Sequence, residues 1–384
     1  MDTLSRFFRA PEGSFFLFGP RGTGKSTWLR QQLPEAAFID LLDPESFRAY
    51  SARPERLREF VEACPKSTTI VIDEVQKVPE LLDVVHQLIE GSVRRRFVLT
   101  GSSARKLKRS GVDLLAGRAV LKTMHPFMAG ELGGRFDLQQ SLRLGMLALV
   151  LAADNPADTL RSYAALYVRE EVMTEGLVRN IGGFARFLEA LSFSHGALLS
   201  VAQVARDCQI NRKAVEGHLD VLEDLLLGYR LPVFRRRAKR QLTHHPKFYY
   251  VDAGLFRSLR PSGPLDGAGE IDGAALEGLV AQHLRAWMAY SCGDHQLFYW
   301  RTKAGLEVDF VVYGPDTFAA IEVKNAKKIS NADIRPLRSF LDDYPRAKAL
   351  LLYRGKERLK IGEILCVPCD DFLLSLTPGV SIVQ

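Results

Sequence analysis

Read as a pattern of apolar and polar positions, the first third of the chain alternates short apolar runs with amphipathic stretches. Residues 14–18, 37–41, 69–75, 97–100 and 118–123 read as buried strands, with helical spacing over 45–64 and 79–90 and a further helix starting near Gly24. Strands alternating with helices predict βαβ units around a parallel sheet covered on both faces. From about Gly133 to Arg260 the period turns helical, and the next convincing strand is 247–251. Residues 261–269 gather proline, glycine, serine and aspartate and read as a linker. The last third opens with a helix over 274–290 and continues with strands at 296–300, 307–313, 319–323 and 347–353, a second α/β domain. The expected domains are therefore 1–132, 133–260 and 261–384. No internal repeat is found.

Composition narrows the class. With 384 residues, 47% hydrophobic and 25% charged, the chain is long enough for two or three cores and unlike a disordered or collagenous sequence. The longest apolar run, 144–153, falls short of the roughly 20 residues of a membrane span. Arg6 and Arg9 are followed by no apolar stretch of signal-peptide length. Five cysteines form no disulfide framework, so a cytoplasmic setting without membrane contact is expected. The net charge of +7 comes from 52 Lys and Arg against 45 Asp and Glu. It matters because the cations cluster, at 94–96, at 105–109 and most densely at 230–247.

Gly19-Pro20-Arg21-Gly22-Thr23-Gly24-Lys25-Ser26, followed by Thr27, lies between a strand and a helix. Glycines at this spacing let backbone N–H groups wrap a phosphate that a Cβ would obstruct, and the helix N-terminus adds positive potential. Lys25 is the candidate for the β- and γ-phosphates and Ser26 for Mg²⁺, which makes ATP and Mg²⁺ the expected cofactors. The apolar run 69–72 delivers Asp73 and Glu74 to the carboxyl end of a parallel strand, where open α/β sheets bind ligands. Asp73 is expected to hold the Mg²⁺ shell, and Glu74 to polarise the attacking water. A third strand ends in Thr100, Gly101, Ser102 and Ser103.

Glycine loop, acidic strand and polar-tipped strand, in that order, resemble the AAA+ branch of the P-loop ATPases. The resemblance implies a sensor residue near the γ-phosphate, with Ser102 the first candidate and Thr100 the next. It also implies a cation supplied by a neighbouring subunit. Arg118, in the Gly117-Arg118 pair before the last core strand, is the candidate, with Arg105 and Arg109 competing. A homo-oligomer, with a ring as one form, follows from that role.

In the middle segment, a short helix near 200–208, a turn at Gln209-Ile210 and a helix capped by Asn211 resemble a helix-turn-helix. Arg212 and Lys213 open the second helix. Arg235, Arg236, Arg237, Lys239 and Arg240 follow with no acid before Asp252. As a β-wing beside a recognition helix, this stretch would lie along phosphates, so a nucleic-acid partner is expected, DNA in preference. The competing reading is a packing module whose cations meet a neighbouring subunit.

In the last domain, strand period puts Glu307 with Asp309 and Glu322 with Lys324, each pair on one face. Two acids on adjacent strands with a lysine can hold Mg²⁺ and polarise water against a phosphodiester. This resembles the PD-(D/E)xK nuclease core, which implies a further glutamate from the preceding helix, here Glu277. Cys366 and Cys369 have redox or zinc spacing but no second pair, and read as core thiols. The whole layout resembles a prokaryotic family of ATPases with an AAA+-like core, a helical and winged-helix region and a nuclease-like C-terminal domain. The expected activity is Mg²⁺-dependent ATP hydrolysis coupled to handling of nucleic acid. The alternatives are a nucleotide-dependent signalling or defence switch that recruits a protein, and an ATP-gated metal nuclease.

Overall fold

The computed structural model describes residues 4–91, 95–102, 115–167, 181–238, 240–264 and 266–383. Two compact units divide the chain. One comprises Phe8–His125 with Asp224–Leu226, the other Met1–Phe7, Pro126–Glu223 and Leu227–Gln384.

The first unit is a five-stranded parallel sheet in the order β2-β3-β4-β1-β5. Its strands are β1 (Phe15–Phe18), β2 (Ala37–Asp40), β3 (Ile70–Asp73), β4 (Phe97–Gly101) and β5 (Val120–Thr123). Every residue of β1, β3 and β4 is buried, as the unbroken apolar runs require of strands covered on both faces. Helix α1 spans Lys25–Gln32 and α4 spans Leu81–Glu90. The expected single helix over 45–64 is two, α2 (Pro44–Ala52) and α3 (Arg56–Ala63). Pro54 is the reason: the residue before a proline is pushed out of helical geometry, and Arg53 has φ −148° and ψ 85°. Phe16, Ile72, Leu99, Leu57, Val61, Leu82 and Val85 share one core cluster.

In the second unit, short helices between residues 129 and 162 lead to helix α5 (Val201–Cys208) and helix α6 (Arg212–Asp224). Ser200 caps α5 by accepting from Gln203 N, and Gln209 closes it in the left-handed region at φ 56°. Asn211 Oδ1 accepts from Ala214 N at 2.8 Å, the expected cap of α6. Strand β6 (Gly228–Leu231), which the hydrophobic pattern did not predict, pairs antiparallel with β7 (Lys247–Tyr250). Gly228 makes this approach possible: a Cβ there would lie 2.7 Å from the Phe248 ring. Helix α7 spans Ala253–Leu259. Helix α8 (Ala268–Tyr290) starts inside the expected linker, with Gly267 as its cap.

Beyond α8 lies a six-stranded mixed sheet in the order β12-β13-β11-β10-β9-β8. Its strands are β8 (Gln296–Arg301), β9 (Glu307–Tyr313), β10 (Phe318–Lys324), β11 (Lys348–Tyr353), β12 (Leu359–Ile361) and β13 (Ile364–Pro368). The β9–β10 pair is antiparallel, whereas β10–β11 is parallel and connected through helix α9 (Asn331–Asp343). The segment between β6 and β7 is bound to β8: Val233 bridges Tyr299, Leu242 bridges Thr302, and Phe234 N donates to Tyr299 O at 2.7 Å. Phe234 lies buried among Phe298, Tyr313, Phe318, Phe340 and Tyr344. Cys366 and Cys369 are buried free thiols, and burial pushes the Cys369 thiol up to about 12. Among the described residues no helix is long and apolar enough to cross a membrane.

Candidate functional site

The chain leaves the buried β1 at Phe18 and turns at once. Gly19 passes so close to β5's continuation that a Cβ would stand 2.4 Å from Met124 O. Gly22 and Gly24 hold φ of 81° and 88°, a region that side chains disfavour. Thr23 Oγ1 donates to Pro20 O at 2.8 Å and fastens the loop across its base. Lys25 opens α1, buried, with its ammonium 2.7 Å from Gly19 O and 3.3 Å from Pro20 O. Ser26 follows half-buried on the first helical turn, while Arg21 and Thr27 are exposed.

Strand β4 separates β1 from β3. In register, Phe18 lies beside Gly101 and Ile72 beside Leu99, so the ends of β1, β4 and β3 share one sheet edge. At about 4.8 Å per strand, the loop and the acids stand roughly 10 Å apart across that edge. Asp73 is buried, and Thr100 donates its hydroxyl to Asp73 Oδ1. The same hydroxyl oxygen accepts from Glu74 N at 3.2 Å. Glu74 adopts φ 59° and ψ 46°, uncommon for a residue with a side chain, as the chain leaves β3 for the turn Val75–Lys77.

Gln76 was not singled out from the sequence. Its Nε2 donates to Glu74 Oε2 and, at 3.2 Å, to Ser102 Oγ, so the two expected catalytic side chains meet through one amide. Its Oε1 is buried without a hydrogen-bond partner among the described residues. A Cβ on Gly101 would stand 2.4 Å from that oxygen. The available signal was the polar residue two positions after Glu74, together with the glycine between Thr100 and Ser102. The loop's glycines, the buried ammonium and the paired acids suit a nucleoside triphosphate with its divalent cation.

Arg118 sits elsewhere. Val120 pairs with Phe15 at the opposite end of β1, so Arg118 lies some six residues, or about 20 Å, from Gly19 along the parallel strands. Its guanidinium pairs with Glu90 at the end of α4. Arg105, Arg109 and Ser103 fall outside the described residues.

Arg212 and Lys213 are exposed at the start of α6, on a surface that also presents Glu216 and Asp220. The expected wing does not project freely. Phe234 anchors it, while Arg235, Arg236, Arg237 and Arg240 face outward. Arg235 Nη2 donates to Thr243 O at 3.2 Å, and Arg236 Nη2 to Gln296 Oε1 at 3.0 Å, with its guanidinium 4.5 Å from the Tyr313 ring centre. Arg240 binds Asp343 at 3.0 Å and Ser339 at 2.6 Å. Lys239 lies outside the described residues.

The C-terminal acids do converge. The β9–β10 ladder runs to Phe310 and Ile321, and beyond it carboxylates replace backbone pairing. Asp309 Oδ2 accepts from Val323 N at 2.9 Å, and Glu322 Oε2 from Asp309 N at 3.4 Å. Lys324 Nζ donates to Glu322 Oε1 at 2.5 Å. Glu277 reaches the same place from α8. At the centre stands Lys247 of β7, which the sequence reading counted with the basic stretch 230–247 and not with these acids. Its ammonium is 2.9 Å from Glu277, 2.5 Å from Glu307 and 3.3 Å from Asp309. Tyr249 OH donates to Glu277 at 2.5 Å, and Arg301 to Glu307 at 2.6 Å. Burial, then the neighbouring Asp309, push the Glu277 carboxyl up to about 7 against the pull of Lys247. Burial opposes charge on Lys247, yet Glu277, Tyr249, Asp309 and Glu307 together hold its pKa well above the usual lysine value. Among the described residues, no three or more His, Cys, Asp or Glu side chains are grouped so as to hold a metal ion.

Comparison with known proteins places an AAA domain at residues 12–133, a domain of unknown function (DUF8612) at 136–266 and another (DUF4143) at 272–372. An uncharacterized protein of Mycobacterium tuberculosis is 29% identical over 97% of this chain and 84% of its own length. One of Haemophilus influenzae is 24% identical over 62% of this chain and 67% of its own. Protein VC1899 from Vibrio cholerae is 12% identical over 95% of this chain and 96% of that one. Its TM-score of 0.23 carries no inference about fold or function.

Proposed function

We propose that the unit built on β1–β5 binds and hydrolyses ATP with Mg²⁺, and that nucleic acid, DNA in the first instance, regulates turnover. The observation that carries the hydrolytic part is the network Asp73–Thr100–Glu74–Gln76–Ser102 at the same sheet edge as the glycine loop. The AAA domain match over 12–133 agrees with it. Ser26 and Asp73 would hold Mg²⁺, which supplies charge neutralisation on the phosphates when bound. Lys25 exchanges its loop carbonyls for phosphate oxygens. Glu74, fixed by Gln76, orients and polarises the attacking water, and Ser102 lies within the same network to help place it.

Lys25→Ala therefore abolishes nucleotide binding, read with a fluorescent ATP analogue. Glu74→Gln retains binding but loses about 10²–10⁴-fold in turnover, the worth of a general base. Turnover of Glu74→Gln equal to wild type refutes the assignment.

For the nucleic-acid part, support comes from Arg212, Lys213 and the outward Arg235, Arg236 and Arg237, the last three held on a strap that Phe234 anchors. Charges on a pre-ordered strap need little further ordering to lie along phosphates. Duplex DNA should raise ATP turnover, and replacing Arg235, Arg236 and Arg237 by glutamine should remove the stimulation. An unchanged response in that variant rejects the strap as the contact.

A further inference from the structure

The resemblance to a metal nuclease implies a divalent ion among Glu277, Asp309 and Glu322, and the side chains in place do not suit one. Lys247 is 1% exposed, and its ammonium bonds to Glu277 and Asp309 and to Glu307 besides. Three further oxygens are also committed: Asp309 Oδ2 to Val323 N, Glu322 Oε1 to Lys324, and Glu322 Oε2 to Asp309 N. Mg²⁺ needs oxygens at about 2.1 Å in near-octahedral array. A divalent ion within reach of these carboxylates would sit against an ammonium that three of them already neutralise, with Lys324 on the fourth.

We infer that Lys247 is the resident cation of this cluster, an internal counter-ion in the place a catalytic metal would take, so that the C-terminal sheet carries no metal-dependent phosphodiesterase. The arrangement also explains the position of β7. Lys247 begins the strand that pairs with β6, and its side chain enters the α8–β9 acids, so one residue ties the helix-turn-helix region to the C-terminal sheet. Carboxylates with no partner would leave that junction open, since buried charge persists only when compensated.

Removing the ammonium should turn the cluster into a cation site. The experiment is Mn²⁺ titration of the full chain without nucleotide, followed by electron paramagnetic resonance and by thermal melting. Wild type should show no Mn²⁺ binding that Asp309→Asn abolishes, and its melting temperature should not respond to Mn²⁺ or EDTA. Lys247→Met should gain one bound Mn²⁺ per chain, with a rise in melting temperature on adding Mn²⁺. Both gains should vanish when Asp309→Asn is added, while Lys247→Arg should behave as wild type. Asp309-dependent Mn²⁺ binding by wild type overturns the inference, and so does a folded Lys247→Met that gains none. Should Lys247→Met fail to fold, the wild-type comparison with Asp309→Asn still tests it. ATP turnover in the first unit is a separate readout, so failure here leaves the ATPase reading intact.

Discussion

The hydroxyl of Thr100 donates to Asp73 Oδ1 and accepts from the backbone N–H of Glu74, so one side chain on β4 fixes both acids at the end of β3. The bond matters because Glu74 is held in the left-handed region, where no regular strand hydrogen bond would position it.

Thr100→Val keeps the shape and removes both bonds. A buried hydrogen bond to a charged group is worth about 1.5–3 kcal/mol, which corresponds to roughly ten- to a hundredfold in rate if it is felt in the transition state. ATP turnover should fall by that factor with little change in nucleotide affinity. Steady-state kinetics beside equilibrium nucleotide binding measures the split.

Arg118 and Gly19 lie at opposite ends of parallel strands, so Arg118 itself could act on the γ-phosphate only from another copy of the chain. Arg118→Ala and Lys25→Ala should each be inactive alone. Mixed together they should regain part of the wild-type rate, since some interfaces then pair an intact loop with an intact arginine. No recovery on mixing, in subunits shown to exchange, would exclude the trans role.

His283 accepts from Ala129 N at 2.8 Å through Nε2 and bonds Leu279 O at 2.8 Å through Nδ1, so the neutral ring fits its site. Burial lowers its pKa to about 4, and that of His195 to about 3. Both lie below the usual value near 6.5, so between these limits the unfolded chain binds more protons than the folded one. The stability they confer is complete above about pH 6.5 and is lost as the pH falls toward the folded values. By the same linkage, His283 alone makes the fold about 2 kcal/mol weaker at pH 5 than at pH 7.5. The melting temperature should drop by several degrees over that interval, and His283→Gln should flatten the dependence.

Much of the first unit was legible because its signals are local. Four apolar residues in a row specify a strand covered on both faces, and a glycine loop between strand and helix needs no distant partner to be read. Gln76 escaped notice because its importance lies in its contact with Ser102, 26 residues away. The split of the expected 45–64 helix was available from Pro54, a local signal that the apolar periodicity overrode.

The second unit shows the converse. Charge clustering located the arginines of 235–240, yet nothing in a run of cations reveals that Phe234 holds them against β8. Strand period brought Asp309, Glu322 and Lys324 to one edge, but Lys247 is far from them in sequence and reads as one more basic residue before Asp252.

By itself, the sequence determined the alternation of strands and helices, the phosphate loop, the order of the acids after it and the pairing of Glu307 with Asp309 and of Glu322 with Lys324 on strand faces, whereas Glu277 entered only through the resemblance to a nuclease core. Those features depend on residue type and on spacing within one element or between adjacent ones. Only the tertiary structure decided that Arg118 stands at the far end of the sheet, that the basic strap is anchored, and that an ammonium fills the C-terminal cluster. Each is a relation between side chains from distant segments. Burial and Coulomb attraction set such relations by distance in space, which residue spacing along the chain does not encode.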